Sequence, residues 1–183
     1  LIVKPASALA SVGIEGDSRL SITHNFWFSR QTNVKGSIYQ GFGVGLRIKP
    51  ASNIEFHIGS GYNWRFDEAQ WVKNVDDNGD GIHDHFVYGE LKSRTLDLTA
   101  RVNVTFTPDL SLQFYMQPFI AVGDYRNFKE LARPASYEFT PYIDLGEDPD
   151  FSYRSLRSNL VFRWEYRPGS TLFLVWSQSR SAS

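Results

Sequence analysis

The chain has no cysteine, which excludes disulfides and thiolate-held metals. No apolar run approaches the roughly 18 residues that a spanning helix needs, so a helical membrane protein is excluded as well. Neither sign of charge dominates: 19 Lys and Arg stand against 20 Asp and Glu, and no broad pull toward nucleic acid follows. A Gly-x-Ser-x-Gly elbow, a phosphate-binding glycine loop and a dinucleotide fingerprint are all missing, so no nucleophilic or nucleotide chemistry is named. Of four histidines only His83 and His85 lie close together, in a loop, which is a poor zinc pattern. Residue 1 is Leu rather than Met, and no signal peptide precedes the first strand. A secreted barrel needs one, so Leu1 is expected not to be the natural start.

What the chain has is alternation. Aromatic residues make up 15% of it, and mean hydropathy is slightly negative. That combination suits strands that are apolar on one side only. The stretch from Gly36 to Phe66 shows it best. Ile54, Phe56, Ile58, Ser60, Tyr62, Trp64 and Phe66 share one phase, and Glu55, His57, Gly59, Gly61, Asn63 and Arg65 share the other. Before the turn at Pro50–Asn53, Ile38, Phe42, Val44, Leu46 and Ile48 oppose Tyr39, Gly41, Gly43, Gly45 and Arg47, with only Gln40 breaking the apolar side. Strands of soluble sandwiches usually run about 5–6 residues, whereas a spanning barrel strand needs about 9–11. These are long enough to span, and their apolar phase ends in aromatics, as a lipid-facing band does at its girdle.

The same pattern recurs along the chain. Ser7–Glu15 is a weak strand, and Leu20, Ile22, Phe26 and Phe28 oppose Ser21, Thr23, Asn25 and Ser29 in the next. A long connection is expected from Asp67 to about His85, then a strand from about Phe86 to Thr105. Glu90, Lys92 and Arg94 occupy its apolar phase, so its upper part is expected to stand above a bilayer. The next strand starts at Leu110, with a bulge expected at Pro118. A second long connection covers Gly123 to about Tyr153, and a last hairpin turns at Arg167–Ser170. Tight connections (Gly16–Ser18, Pro50–Asn53, Thr107–Asp109, Pro168–Ser170) alternate with longer ones, as periplasmic turns alternate with extracellular loops. The fold class expected is all-β: an antiparallel up-and-down transmembrane β-barrel with about eight strands present. Residues 1–183 are expected to be part of one barrel domain and a fragment of a larger barrel. The edge strands Ser7–Glu15 and Leu172–Gln178 are then expected not to pair with each other, because unsatisfied strand edges in lipid must be met by further strands.

Three motifs and the last hairpin carry a family resemblance. Gly16-Asp17-Ser18-Arg19 precedes a strand, Arg47-Ile48-Lys49-Pro50 leads into a turn, and Phe106-Thr107-Pro108-Asp109-Leu110 spans another. With the stretch from Arg157 to Gln178 they resemble the C-terminal region of the DUF5916 family, over roughly Gly13 to Arg180. The resemblance implies bacterial surface proteins in which a family-9-like carbohydrate-binding domain precedes a large outer-membrane barrel. It brings no established activity and no catalytic residues.

Asp76-Asp77-Asn78-Gly79-Asp80-Gly81-Ile82-His83-Asp84 is the sharpest local signal. Asp76, Asn78, Asp80, Ile82 and Asp84 fall at positions 1, 3, 5, 7 and 9 of a calcium loop, with Gly81 at the turn position. Val87 stands where the bidentate Glu belongs, so that ligand is missing; the two readings are a structural Ca2+ pinning a surface loop and an Asp/Asn/Gly-rich solvated loop. The lumen-facing residues expected from the polar phase are Arg47, Glu55, His57, Arg65, Asp97, Arg101, Arg157, Arg163 and Glu165. They line either a charge-selective lumen or a wall of internal ion pairs. The glycine lane Gly41, Gly43, Gly45, Gly59 and Gly61 lies in the same phase and is expected to be met by a plug, another domain or solvent.

Three functions remain open at this point. One is an outer-membrane barrel acting as a pore or translocation component, or anchoring a surface carbohydrate-binding protein. Another is an outer-membrane enzyme or adhesin using its long extracellular loops. The third is a soluble β-sandwich that binds carbohydrate. The partners expected are outer-membrane lipid, further barrel strands or a plug or N-terminal domain, and carbohydrate; nucleic acid is not among them. The location expected is the bacterial outer membrane.

Overall fold

A computed structural model of the chain describes residues 2–81, 83–143 and 145–183. Those residues form one antiparallel sheet of nine strands and no helix. The strands are β1 (Ser7–Glu15), β2 (Ile22–Asn33), β3 (Ile38–Ala51), β4 (Ile54–Val75), β5 (His85–Thr107), β6 (Leu110–Leu131), β7 (Phe139–Pro141), β8 (Phe151–Arg167) and β9 (Ser170–Ala182). Eight of them pair in chain order as an up-and-down meander, while the short β7 pairs only with β6. The sheet is open: among the described residues β1 and β9 pair with their inner neighbours and not with each other.

Alternation dictates the two faces. One carries continuous apolar ladders, such as Ile22, Ile48, Phe56, Val102, Phe114, Leu160 and Trp176, each opposite the next across seven strands. Another runs through Val12, Phe28, Phe42, Tyr62, Leu96 and Ile120. Cross-strand pairs of this kind stabilise a sheet directly, and the Phe42 and Tyr62 rings meet at 5.7 Å. The opposite face carries the polar phase and the glycines. Turn chemistry fixes the register at one end. Gly169 takes the left-handed φ of +79° that its turn needs, and Asn53 Nδ2 donates to the Thr105 carbonyl at 2.8 Å, tying the β3–β4 turn to β5.

Three expectations need correction. The connection after Phe66 is not long: β4 continues to Val75 and β5 begins at His85, leaving Asp76–Asp84 as the loop. Bulges between Asp67 and Gln70 and between Trp71 and Lys73 break the alternation there, which hides a continuing strand from periodicity. The second long connection is likewise shortened, since β6 runs to Leu131 and β7 occupies part of the rest. Here Asn127 adopts a left-handed φ of 50° beside the register shift between Tyr88 and Glu90, and its Nδ2 donates to Glu90 Oε2 at 2.8 Å. Pro118 makes no bulge. It stays in register opposite Leu156, and the ladder toward β5 skips from Phe119 to Met116 without a shift, as a residue with no N–H to donate would cause.

Candidate functional site: the polar face of the sheet

The glycine lane is the floor of this face. Trp27, directly opposite Gly43, lies over it, and a Cβ on Gly43 would stand 2.2 Å from the indole Nε1. Asn63 Oδ1 covers Gly41, Asn25 Oδ1 covers Gly45, and Asp97 Oδ1 lies 2.7 Å from where a Cβ on Gly61 would stand. The sheet's own side chains thus cover most of the lane. Gly59 alone has room, its nearest neighbour being His57 Nε2 at 3.7 Å.

At the loop end, polar groups on distant strands close into a clamp. Arg65 donates to Asp67 and, at 2.9 Å, to Gln70 Oε1. Glu68 is paired with Lys129 of β6 and accepts the Tyr137 hydroxyl at 2.7 Å. Burial first, and the Glu68 carboxylate second, push the Tyr137 phenol well above its ordinary range. Tyr137 and Tyr88 both meet the Phe139 ring edge-on, at 5.1 and 5.4 Å, so the β6–β8 connection folds back over the strand ends. Beside the clamp lies a cavity of about 590 Å³ whose lining includes Tyr39, Arg65, Gln70, Trp71, Tyr88 and Tyr137.

His85 forms a second tie. Its Nδ1 bonds Glu130 of β6 and its Nε2 lies 3.1 Å from Asp77 Oδ2 in the β4–β5 loop. Glu130 raises the imidazole pKa above its ordinary value, with a smaller push from Asp77. His83 takes no part and packs edge-on against Phe86 at 6.3 Å. Sequence reasoning missed Glu68, Lys129, Tyr137 and Glu130 as partners, because each pairs with a residue dozens of positions away on a stretch read as loop.

The expected calcium loop is internally bonded. Asp76 accepts the N–H groups of Gly79 and Gly81 at 2.7 and 2.8 Å, Asn78 Oδ1 accepts that of Asp80 at 3.1 Å, and Asp84 Oδ2 that of Asp77 at 3.0 Å. These bonds, that to Gly81 foremost, keep the Asp76 carboxyl below its ordinary range. Ile82 lies outside the described residues. Among the described residues no three His, Asp or Glu side chains are grouped to hold a metal.

At the turn end Arg47, His57 and Arg101 are direct cross-strand neighbours on β3, β4 and β5. Arg101 stacks over the Tyr115 ring at 5.1 Å. Glu55 is held by Lys49 at 3.1 Å, and Arg163 donates to Glu165 at 2.9 Å. Arg157 stands opposite Gln117 and Ser179. The polar-phase residues thus separate into a bonded set (Glu55, Arg65, Arg163, Glu165), Asp97 and Arg157 with no side-chain bond among the described residues, and the turn-end row of Arg47, His57 and Arg101.

Compared with known proteins, the whole chain, residues 1–183, matches the family model described as a domain of unknown function, DUF5916. No protein of curated function and no solved structure matches it.

Proposed function

The chain belongs to the DUF5916 family, and we infer from its two-faced sheet that residues 1–183 are wall of a transmembrane β-barrel in a bacterial outer membrane. One observation carries this reading. Among the described residues only Val87, Tyr88, Leu91, Ala121 and Leu145 form a buried apolar core, whereas Phe42, Val44, Ile58, Leu96 and Leu174 are all more than 40% exposed. A water-soluble domain of this size buries most of its apolar surface on folding, and burial is the main favourable term. A sheet facing lipid needs no such core, because the acyl chains cover the apolar ladders. No helix among the described residues is long and apolar enough to cross a membrane, so any crossing is made by strands.

In this reading the polar face lines the interior, and the barrel serves as a pore or translocation component or as the membrane anchor of a surface carbohydrate-binding protein. The test is extraction and gel mobility. The protein should require detergent, and its unheated band should migrate differently from the heated one, as a closed barrel does. A protein that stays monodisperse without detergent and shows no heat-dependent shift overturns the proposal.

The loop-end cavity supports a second role. Aromatic faces beside planar polar side chains, as at Tyr39, Trp71, Arg65 and Gln70, suit sugar rings, which stack on one and hydrogen-bond the other. Extracellular carbohydrate binding would make the loops an adhesin. Glycan-array binding that survives Tyr39→Ala and Trp71→Ala would refute it.

A further inference from the structure

Several polar groups of this face are paired with one another, as Lys49 is with Glu55 and Arg163 with Glu165, but a group at the turn end is not. Arg47, His57, Arg101, Asn103 and Gln113 make no side-chain hydrogen bond or ion pair among the described residues, although all lie on neighbouring positions of β3 to β6. Arg47 and Arg101 stand two strands apart, about 10 Å at the backbone, with His57 directly between them. Two like charges at this separation repel unless something offsets them. The carboxylates of the vicinity do not: Glu55 is taken by Lys49, Asp97 lies over Gly61, and Glu15 lines only the smaller hollow beside Arg47 and His57. Arg101 instead opens onto a groove of about 390 Å³ that it lines with Asn103, Gln113, Tyr115 and Asn159 and that no carboxylate lines.

We propose that this groove binds an oxyanion, the carboxylate or phosphate of a small solute, on the fork of Arg101. The guanidinium carbon lies over the Tyr115 ring at 5.1 Å, and its N–H donors have no partner among the described residues. Arginine presents those donors in a geometry that matches a carboxylate or phosphate bidentately. The carboxamides of Asn103 and Gln113 supply further donors, Arg47 adds a second cation and His57 a ring N–H between the two, so that a solute with more than one anionic group is favoured. The inference deepens the barrel reading: on the interior wall such a row selects anions during passage.

The experiment is calorimetric titration of the detergent-purified full chain at low salt with tripolyphosphate and, separately, with citrate. Saturable binding of either probe is expected, and the stronger one identifies phosphate or carboxylate as the preferred group. Arg101→Gln should weaken it tenfold or more and Arg47→Gln severalfold, while Arg133→Gln in the β6–β8 connection leaves it unchanged. If Arg101→Gln fails to give the heat-shifted band, Tyr115→Leu tests the same groove by removing the platform. Absence of saturable binding, or equal loss in Arg133→Gln, overturns the proposal. Ion conductance in planar bilayers is measured independently: conductance without binding refutes the anion site alone, and binding without conductance refutes the pore alone.

Discussion

Trp27 and Gly43 face each other across β2 and β3, and the indole occupies the space that a side chain at Gly43 would need. Neither residue can be enlarged without moving the other. Gly43→Ala should therefore destabilise the sheet by about 1–3 kcal/mol, the usual range for overpacking. Trp27→Ala in the same chain should relieve most of that added cost. A urea titration in detergent micelles reads all four members of the cycle, and additive effects would show that the ring does not lie over the lane.

The two faces should respond oppositely to charge. Ile58 belongs to the apolar face and is 48% exposed, whereas Gly59 has room for a Cβ on the polar face. Ile58→Arg should cost about 2–4 kcal/mol of membrane stability if its position is near the bilayer midplane. Gly59→Arg should cost much less. Equal loss of the heat-shifted band in the two variants argues against the assignment of faces.

His85 makes the loop end sensitive to pH. Its pKa is raised in the folded protein from the ordinary 6.5 by Glu130 and Asp77. A raised folded-state value means the tie is fully present below about pH 6.5 and weakens as pH rises through the folded-state value. Trp71, whose indole is bonded to Asn74 at 2.9 Å on the same strand end, should report the change by fluorescence as pH rises. His85→Gln should abolish the transition, and a transition that persists in that variant assigns it elsewhere.

Calcium is the remaining test of the loop from Asp76 to Asp84. Each carboxylate oxygen of Asp76 accepts one backbone N–H and keeps a second lone pair, so the existing bonds do not forbid a cation. We expect millimolar Ca2+ to slow proteolysis between Trp71 and Val87, and Asp80→Ala to remove that protection. A titration calorimeter that records no Ca2+ uptake by the intact protein removes the idea.

Strand identity and facing were legible wherever period-2 alternation holds without interruption. From Ile54 to Phe66 every residue occupies the face its phase assigns, because one buried or lipid-covered side punishes any slip of register. The reading failed beyond Phe66 and Val122. There bulges shift the phase, and residues such as Asp67, Glu68, Lys129 and Glu130 make both sides polar. Their partners come from the opposite end of the loop system, and nothing local in a sequence announces that Glu68 will meet Tyr137. The row of Arg47, His57 and Arg101 was legible as three polar-phase residues. That they are adjacent follows only from the pairing of three strands, and that they lack partners follows only from the side chains around them.

The strands also differ greatly in length, and length sets a height. β4, β5 and β6 run 22, 23 and 22 residues, against 9 in β1 and 14 in β3. Crossing a bilayer uses about 9–11 of them, which leaves about a dozen residues in each, or about 40 Å of ribbon before tilt is counted. On the barrel reading the three strands rise past the lipid as a mast, and the aromatic cavity lies along its lower part, where Asn33 and Tyr39 of the shorter strands meet Arg65 and Gln70 of β4. The mast can be shortened without touching the wall: removing two facing residues from each of β4 and β5 preserves the alternation, whereas removing one turns every side chain above it to the wrong side.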